Sequence, residues 1–273
     1  SLAVPIAGPI LNTTKPKVQA PRGACDCHAH IFGPPDRFPY SQGRGYTPPD
    51  APLELHLKML DAIGCERGVV VQGNAHGYDN SVILDAVTRA PTRLRGVCIT
   101  DTRVNADDLR RWHQLGVRGL RFHMHKPGEH PGYVRGVGLD VYEAFRPVMR
   151  ELGWHAQMWC DWRVLPELAD TFRKIARDTP VVIDHMLHTD ATLGVDERSF
   201  QTLLKLLGEG ACWVKVSGAY RVSTRYPDYP DARPLHEALV RTNPDQVVWG
   251  TDWPHALVDA AMMPDDGKLM DLF

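Results

Sequence analysis

The reactive side chains of this sequence fall in three places. His28 and His30 stand in Asp26-Cys-His28-Ala-His30, His185 follows Asp184, and Asp252 sits in Trp249-Gly-Thr-Asp252-Trp-Pro-His255. Side chains two positions apart on a strand point the same way, so His28 and His30 share a face while Cys27 and Ala29 take the other. A carboxylate held beside a water acts as a general base. Neighbouring imidazoles polarise a carbonyl, either as hydrogen-bond donors or through a shared divalent ion. Together these are the parts of a hydrolytic site. Arg121 and Arg221 add forked guanidiniums suited to a carboxylate or sulfonate on a substrate. Any one of the 13 histidines taken alone reads as structural or surface, and His113 and His236 are read so. The joint set marks a site, because titratable groups converging at one place do so for function more often than for packing.

These residues need elements to hold them. Short apolar, β-branched runs alternate with longer amphipathic ones. The short runs are Cys25–Phe32, Gly68–Gln72, Gly96–Thr100, Gly119–His123, His155–Trp159, Val181–Asp184, Trp213–Val216 and Val247–Trp249. Helical patterns cover Pro52–Ile63, Ser81–Ala90, Ala106–Leu115, Val141–Leu152, Leu165–Ala176, Ser199–Leu207 and Leu235–Arg241, with Gly64 placed to end the first. Eight strands separated by seven helices call for a parallel α/β fold with right-handed crossovers. No strand–helix turn carries G-x-G-x-x-G, which disfavours an open dinucleotide-binding sheet. The pattern predicts a (β/α)8 TIM barrel as a single domain over residues 1–273, with an N-terminal extension over 1–22 and an eighth helix that is short or absent. In such a barrel the carboxyl ends of the strands and the following loops line the site. His28, His30, His185 and Asp252 fall there. Tyr46 lies in Gly43-Arg-Gly-Tyr-Thr-Pro-Pro49, a loop longer than most strand–helix connections and so a candidate lid.

Composition closes off other classes. The 31 basic and 33 acidic residues leave a net charge of −2 with no basic run, so nucleic acid and anionic lipid are not expected partners. No stretch approaches eighteen apolar residues, so no membrane span is expected. Ser1 to Lys17 lacks the order of a secretory signal. The six cysteines, Cys25, Cys27, Cys65, Cys98, Cys160 and Cys212, include no C-x-x-C pair and read as reduced, buried and inert. The cytoplasm fits this usage. Oligomeric state is not legible.

At the stretches Gly23-Ala-Cys-Asp-Cys-His-Ala-His-Ile-Phe-Gly33, Tyr46-Thr-Pro-Pro-Asp50, Gly68-Val-Val-Val-Gln72, Val117-Arg-Gly-Leu-Arg-Phe122, Ile183-Asp-His185, Lys215-Val-Ser-Gly218 and Trp249–His255, the chain resembles the amidohydrolase superfamily. More narrowly it resembles the branch of 2-pyrone-4,6-dicarboxylate lactonase and related lactone hydrolases. The resemblance implies a lactonase acting in aromatic or sugar-acid catabolism on a small anionic lactone. Asp252 would activate water, with His28, His30 and His185 around the lactone carbonyl. Tyr46, Arg121 and Arg221 would bind the substrate, with Asn74 as a small polar contact. Two departures bear on the substrate. His188 stands where the pattern has an arginine, and Pro127, beside Lys126, stands where it has another. Lys126, Trp159 and His188 therefore join the expected substrate contacts, and a muconolactone, a sulfonated muconolactone or a sugar-acid lactone becomes as suitable as a dicarboxylate.

Metal-dependent relatives ligate through the strand-one histidines, a strand-five histidine and the strand-eight aspartate. Here Trp159 occupies the strand-five position, and indole has no lone pair to offer. His155 lies four residues earlier, about 13 Å lower on the strand. No metal is therefore the favoured expectation. Zinc or manganese remains possible through His28, His30, His185 and Asp252. The rival expectations are a metal-dependent decarboxylase, a lactone isomerase and an inactive barrel that binds an anionic metabolite.

Overall fold

The computed structural model describes residues 4–125 and 136–272 of the chain. All eight expected strands are present: β1 (Cys25–Ala29), β2 (Arg67–Val71), β3 (Leu94–Cys98), β4 (Val117–Met124), β5 (His155–Cys160), β6 (Val181–Ile183), β7 (Trp213–Lys215) and β8 (Val247–Val248). They form one parallel sheet in sequential order. The seven expected helices are α1 (Leu53–Ile63), α2 (Ser81–Arg89), α3 (Ala106–Leu115), α4 (Leu139–Leu152), α5 (Leu165–Ile175), α6 (Arg198–Gly208) and α8 (Arg233–Thr242). Two short helices complete the set, α7 (Ala219–Val222), which was not expected, and α9 (Asp266–Met270). The latter is the short eighth helix of the barrel. Gly64 ends α1 with φ +79, a left-handed cap that favours glycine.

The sheet closes where β8 meets β1, although β8 is only two residues long. Beyond it the backbone continues alongside β1: Cys27 N–H donates to Trp249 C=O (3.0 Å), Asp252 N–H to His28 C=O (2.8 Å) and His30 N–H to Trp253 C=O (2.7 Å). Gly250 permits this approach, since a Cβ there would lie 2.8 Å from the His28 nitrogen. The result is a (β/α)8 barrel. Its apolar core, including Val70, Leu94, Leu120, Phe172, Phe200 and Val214, joins the strands to the helices. The polar residues at 26, 28, 121, 157, 184 and 215 are buried as well, and those at 28, 121, 157, 184 and 215 meet one another across the barrel. Burying so many polar groups is costly unless each is paired, which points to their use at the site.

Candidate active site

β1 presents His28 and His30 on one face, as their spacing predicts. Their Nε2 atoms are 3.2 Å apart. The backbone after β8 brings Asp252 to the same place, so that its Oδ1 is 3.6 Å from His28 Nε2 and 3.4 Å from His30 Nε2. The turn after β6 brings in the third imidazole, with His185 Nε2 at 3.6 Å from the same oxygen. That turn is strained: His185, Met186, Leu187 and His188 have φ values of 47, 50, 67 and 51°. Left-handed backbone costs non-glycine residues roughly 1 kcal/mol or more each and clusters at functional sites. Full burial of Met186 and Leu187, and the 2.8 Å contact of His185 Nδ1 with Ser217 Oγ, hold it in place.

The other Asp252 oxygen is committed. Tyr220 O–H donates to Oδ2 at 2.7 Å and Arg221 Nε–H donates to it at 2.9 Å. Tyr220 in turn touches His255 Nδ1 (2.8 Å), whose Nε2 is 2.9 Å from Asp266 Oδ1 on α9. Burial by itself would push the Asp252 carboxyl up, but His185, which is charged in the acid range where Asp252 titrates, and Arg221 more than offset it and hold it well below the usual carboxylate range. Burial brings His185 down to about 4, with Asp252 resisting. Asp252 is thus an ionised acceptor beside a His185 imidazole that is neutral at neutral pH.

A second polar layer lies beneath. Lys215 Nζ donates to Cys27 C=O and to Gln157 Oε1, both at 2.9 Å, and is 3.1 Å from His28 Nδ1. Arg121 donates from Nε (3.0 Å) and Nη2 (2.9 Å) to Asp184 Oδ2. Burial would raise the Asp184 carboxyl, but Arg121, His28 and Lys215 hold it well below its ordinary range. The forked Arg121 thus serves a protein carboxylate, not solely a substrate one, and Arg221 likewise pairs with Asp252. Removing one partner of a buried pair leaves the other uncompensated, at a cost of about 3–5 kcal/mol. Arg121→Met should therefore lower the melting temperature by on the order of 10 °C. Asp184→Asn added to it should recover part of the loss. Differential scanning calorimetry checks this, and an unchanged midpoint in Arg121→Met would contradict the pairing.

A cavity of about 180 Å³ opens above these groups, lined by His30, Tyr46, Asn74, Arg121, Trp159, His185, His188, Arg221 and Asp252 together with Gly73, Ala256 and Leu257. Every expected site residue lines it except two. His28 is wholly buried behind His30, and Lys126 lies outside the described residues. A larger, open cavity of about 600 Å³ between Tyr40, Ser41, Tyr78 and Arg103 holds no comparable acid–base cluster. Tyr220, Lys215, Gln157, Asp184, Ser217, His255 and Asp266 were missing from the expected site. Lys215 and Gln157 had a readable signal, a polar residue inside a short apolar strand. The cysteines are all free, but Cys25 and Cys27 are half-buried on the outer face of β1 and not buried as expected.

The expected metal set does not assemble as a whole. The ligand atoms of His28, His30 and Asp252 lie within 4.8 Å of one another, and His185 is not part of that group. His30 suits a metal, since its Nδ1–H donates to Val71 C=O (2.8 Å) and leaves Nε2 with a lone pair. His28 does not. Its Nδ1 faces donors, Lys215 Nζ at 3.1 Å and Gln157 Nε2 at 3.4 Å, an arrangement that suits a ring proton on Nε2 and leaves no lone pair there for a metal. Two ligands remain where catalytic zinc takes three. The three ligand atoms are close enough together for a divalent ion, but the hydrogen bonds at His28 work against one.

The family model described as "Amidohydrolase" matches residues 25–273. The 4-sulfomuconolactone hydrolase of Rhizobium radiobacter is 38% identical over 270 residues, covering 98% of this chain and 88% of its own. The 2-pyrone-4,6-dicarboxylate hydrolase of Comamonas testosteroni is 38% identical over 269 residues, covering 95% and 86%. Among solved structures, the ligand-free form of an Agrobacterium tumefaciens protein superposes with a TM-score of 0.81 at 28% identity, over 94% of this chain and 89% of that one.

Proposed function

As the chain belongs to the amidohydrolase family, we propose that it is a hydrolase that opens a small lactone bearing a carboxylate or sulfonate. The observation that carries this reading is one carboxylate oxygen, Asp252 Oδ1, standing 3.4–3.6 Å from three imidazole nitrogens at the floor of the cavity. Both relatives named above are hydrolases of lactones that carry acidic groups, which supports the substrate class. At about 180 Å³ the cavity is smaller than the roughly 300–1,000 Å³ of sites for drug-sized ligands. One ring with short substituents suits it.

The chemistry follows from which atoms accept and which donate. Asp252 Oδ1 and His30 Nε2 are both acceptors and lie 3.4 Å apart. His30 Nε2 stays with its neighbour His28 Nε2 at 3.2 Å, while a water donates one proton to Asp252 Oδ1 and aims its lone pair upward. As its oxygen attacks the lactone carbonyl, its proton passes to Asp252. His185 Nε2–H, with Ser217 donating to its other nitrogen, stabilises the charge that develops on the carbonyl oxygen, a contribution of several kcal/mol for preorganised donors. The ring C–O bond then breaks and Asp252 returns the proton to the leaving oxygen. Arg121 and Arg221 supply the positive field for the substrate anion, with Tyr46, Asn74, Trp159 and His188 shaping the walls.

The test is a hydrolysis screen over carboxylated and sulfonated lactones, with neutral analogues, in the presence and absence of chelator. Expected is ring opening of an anionic lactone that survives chelation, and slower turnover of its neutral analogue. NMR of the product separates ring opening from isomerisation. A product that keeps its ring, carbon dioxide release from an aromatic acid, or no turnover across the panel would each overturn the proposal.

A further inference from the structure

We propose that Lys215 is a positioning residue: it fixes His28 as its Nε2–H tautomer, and so keeps the His28–His30–Asp252 group from taking up a divalent ion. The direction of each hydrogen bond around this fully enclosed ring carries the proposal. An ammonium has three protons and no lone pair, and Lys215 Nζ has three acceptors in reach: Cys27 C=O at 2.9 Å, Gln157 Oε1 at 2.9 Å and His28 Nδ1 at 3.1 Å. Asp184 Oδ1, at 3.7 Å, supplies the counter-charge. Because Lys215 cannot accept, the Gln157 oxygen must face it, which turns the Gln157 amide N–H toward His28 Nδ1 at 3.4 Å. Two donors thus converge on one nitrogen. The acceptor beside it, Asp184 Oδ1, is farther away at 3.5 Å.

With Nδ1 accepting, His28 carries its proton on Nε2, 3.2 Å from His30 Nε2. His30 accepts there, because its own proton is given to Val71 C=O at 2.8 Å. A one-way chain runs from Lys215 through His28 and His30 to the backbone of β2. Were Lys215 replaced by an apolar side chain, Nδ1 would be left with the Gln157 amide and the Asp184 carboxylate. The proton would move to Nδ1, and the carboxylate–histidine pairing that normally orients metal-binding imidazoles would be in place. His28 Nε2, His30 Nε2 and Asp252 Oδ1 would then offer the three ligands an open metal site requires.

The experiment uses long-range 1H–15N correlation of the imidazoles in labelled protein, with His28 assigned by loss of its signals in His28→Gln. Expected in the wild type is a protonated Nε2 and a bare Nδ1. Expected in Lys215→Met is the reverse, together with uptake of about one equivalent of cobalt(II) with visible d–d bands, which the wild type lacks. Lys215→Arg, which keeps donors at this place, should retain the wild-type tautomer and take up no cobalt. These readouts need no lactone, so they succeed or fail apart from the proposed reaction. Only the kinetic readout rests on that reading: kcat in Lys215→Met should fall about 10–100-fold with KM little changed, the size usual for loss of an orienting partner. A wild-type His28 protonated at Nδ1, a wild-type protein that binds cobalt through His28, or a Lys215→Met protein unchanged in both tautomer and cobalt content would overturn the proposal. Should Lys215→Met fail to fold, the wild-type spectrum decides alone.

Discussion

Asp252→Asn is expected to lower kcat/KM by about 10²–10⁴-fold, the range that general-base catalysis supplies. The amide is close to the carboxylate in shape, so the loss isolates charge and hydrogen-bond direction. Its orientation is dictated by the neighbours. Tyr220 O–H and Arg221 Nε–H both donate to the Oδ2 position, so the asparagine oxygen must lie there and its NH2 must take the place of Oδ1. A donor then faces the spot where the proposed water gives up its proton. Binding of the substrate anion should change little, so the effect falls mainly on kcat. Steady-state kinetics on the lactone found in the screen checks this, and turnover within tenfold of wild type would remove Asp252 as the base.

The second large effect is on stability in acid. His28, His56, His123 and His185 are all buried. Burial depresses each: His56 to about 3, with Arg93 adding to the effect, His185 to about 4, and His28 and His123 well below their ordinary value. A histidine depressed in the folded state but ordinary in the unfolded chain stabilises the fold above pH 6.5. That contribution is lost as pH falls, because the unfolded state then binds more protons. By pH 5 each costs about 2 kcal/mol. Asp26 acts the other way: burial raises it to about 7, against hydrogen bonds from Thr251 and His28, so its protonation favours the fold as pH drops below 7. These four histidines outweigh Asp26 by about 6 kcal/mol between pH 7 and pH 5, a large part of the usual 5–15 kcal/mol, and burial of His155 and His188 adds to the loss. Urea unfolding followed by tryptophan fluorescence should show the midpoint falling steeply over that range. His56→Leu should flatten the fall by about 2 kcal/mol, since neither nitrogen of His56 has a partner to lose. A midpoint constant from pH 7 to pH 5 would refute the buried, neutral assignment.

The barrel was legible because its signals are local. Alternating apolar and amphipathic runs mark strands and helices wherever burial on both faces is continuous, and the two-residue spacing of His28 and His30 put them on one face. The strand ends were less legible. Val247–Trp249 was expected to continue as a strand, yet the ladder stops at Val248, because Trp249 to His255 turns over the mouth and pairs irregularly with β1. The arginines show a different limit. A guanidinium fork matches any carboxylate, and nothing local says whether that carboxylate belongs to a substrate or to the protein. Asp184 is 63 residues from Arg121, and Asp252 is 31 from Arg221, so the pairing appears only after folding. Lys215 and Gln157 were visible as polar intrusions in apolar strands, but what they touch was not.

The meeting of first and last strands has a consequence for how activity fails. The amide of Asp252 is tied to the carbonyl of His28, and the amide of His30 to the carbonyl of Trp253, so base and imidazoles are spaced by two rungs of main chain. Those rungs are also the fastening that makes the cylinder continuous. Fraying of this edge, held on one side by a two-residue strand, would part the reactive groups while seven other strand contacts stayed intact. Heat or mild denaturant should therefore silence the enzyme before the body of the molecule melts, and deuterium should enter at His30 and Asp252 in step with the silence.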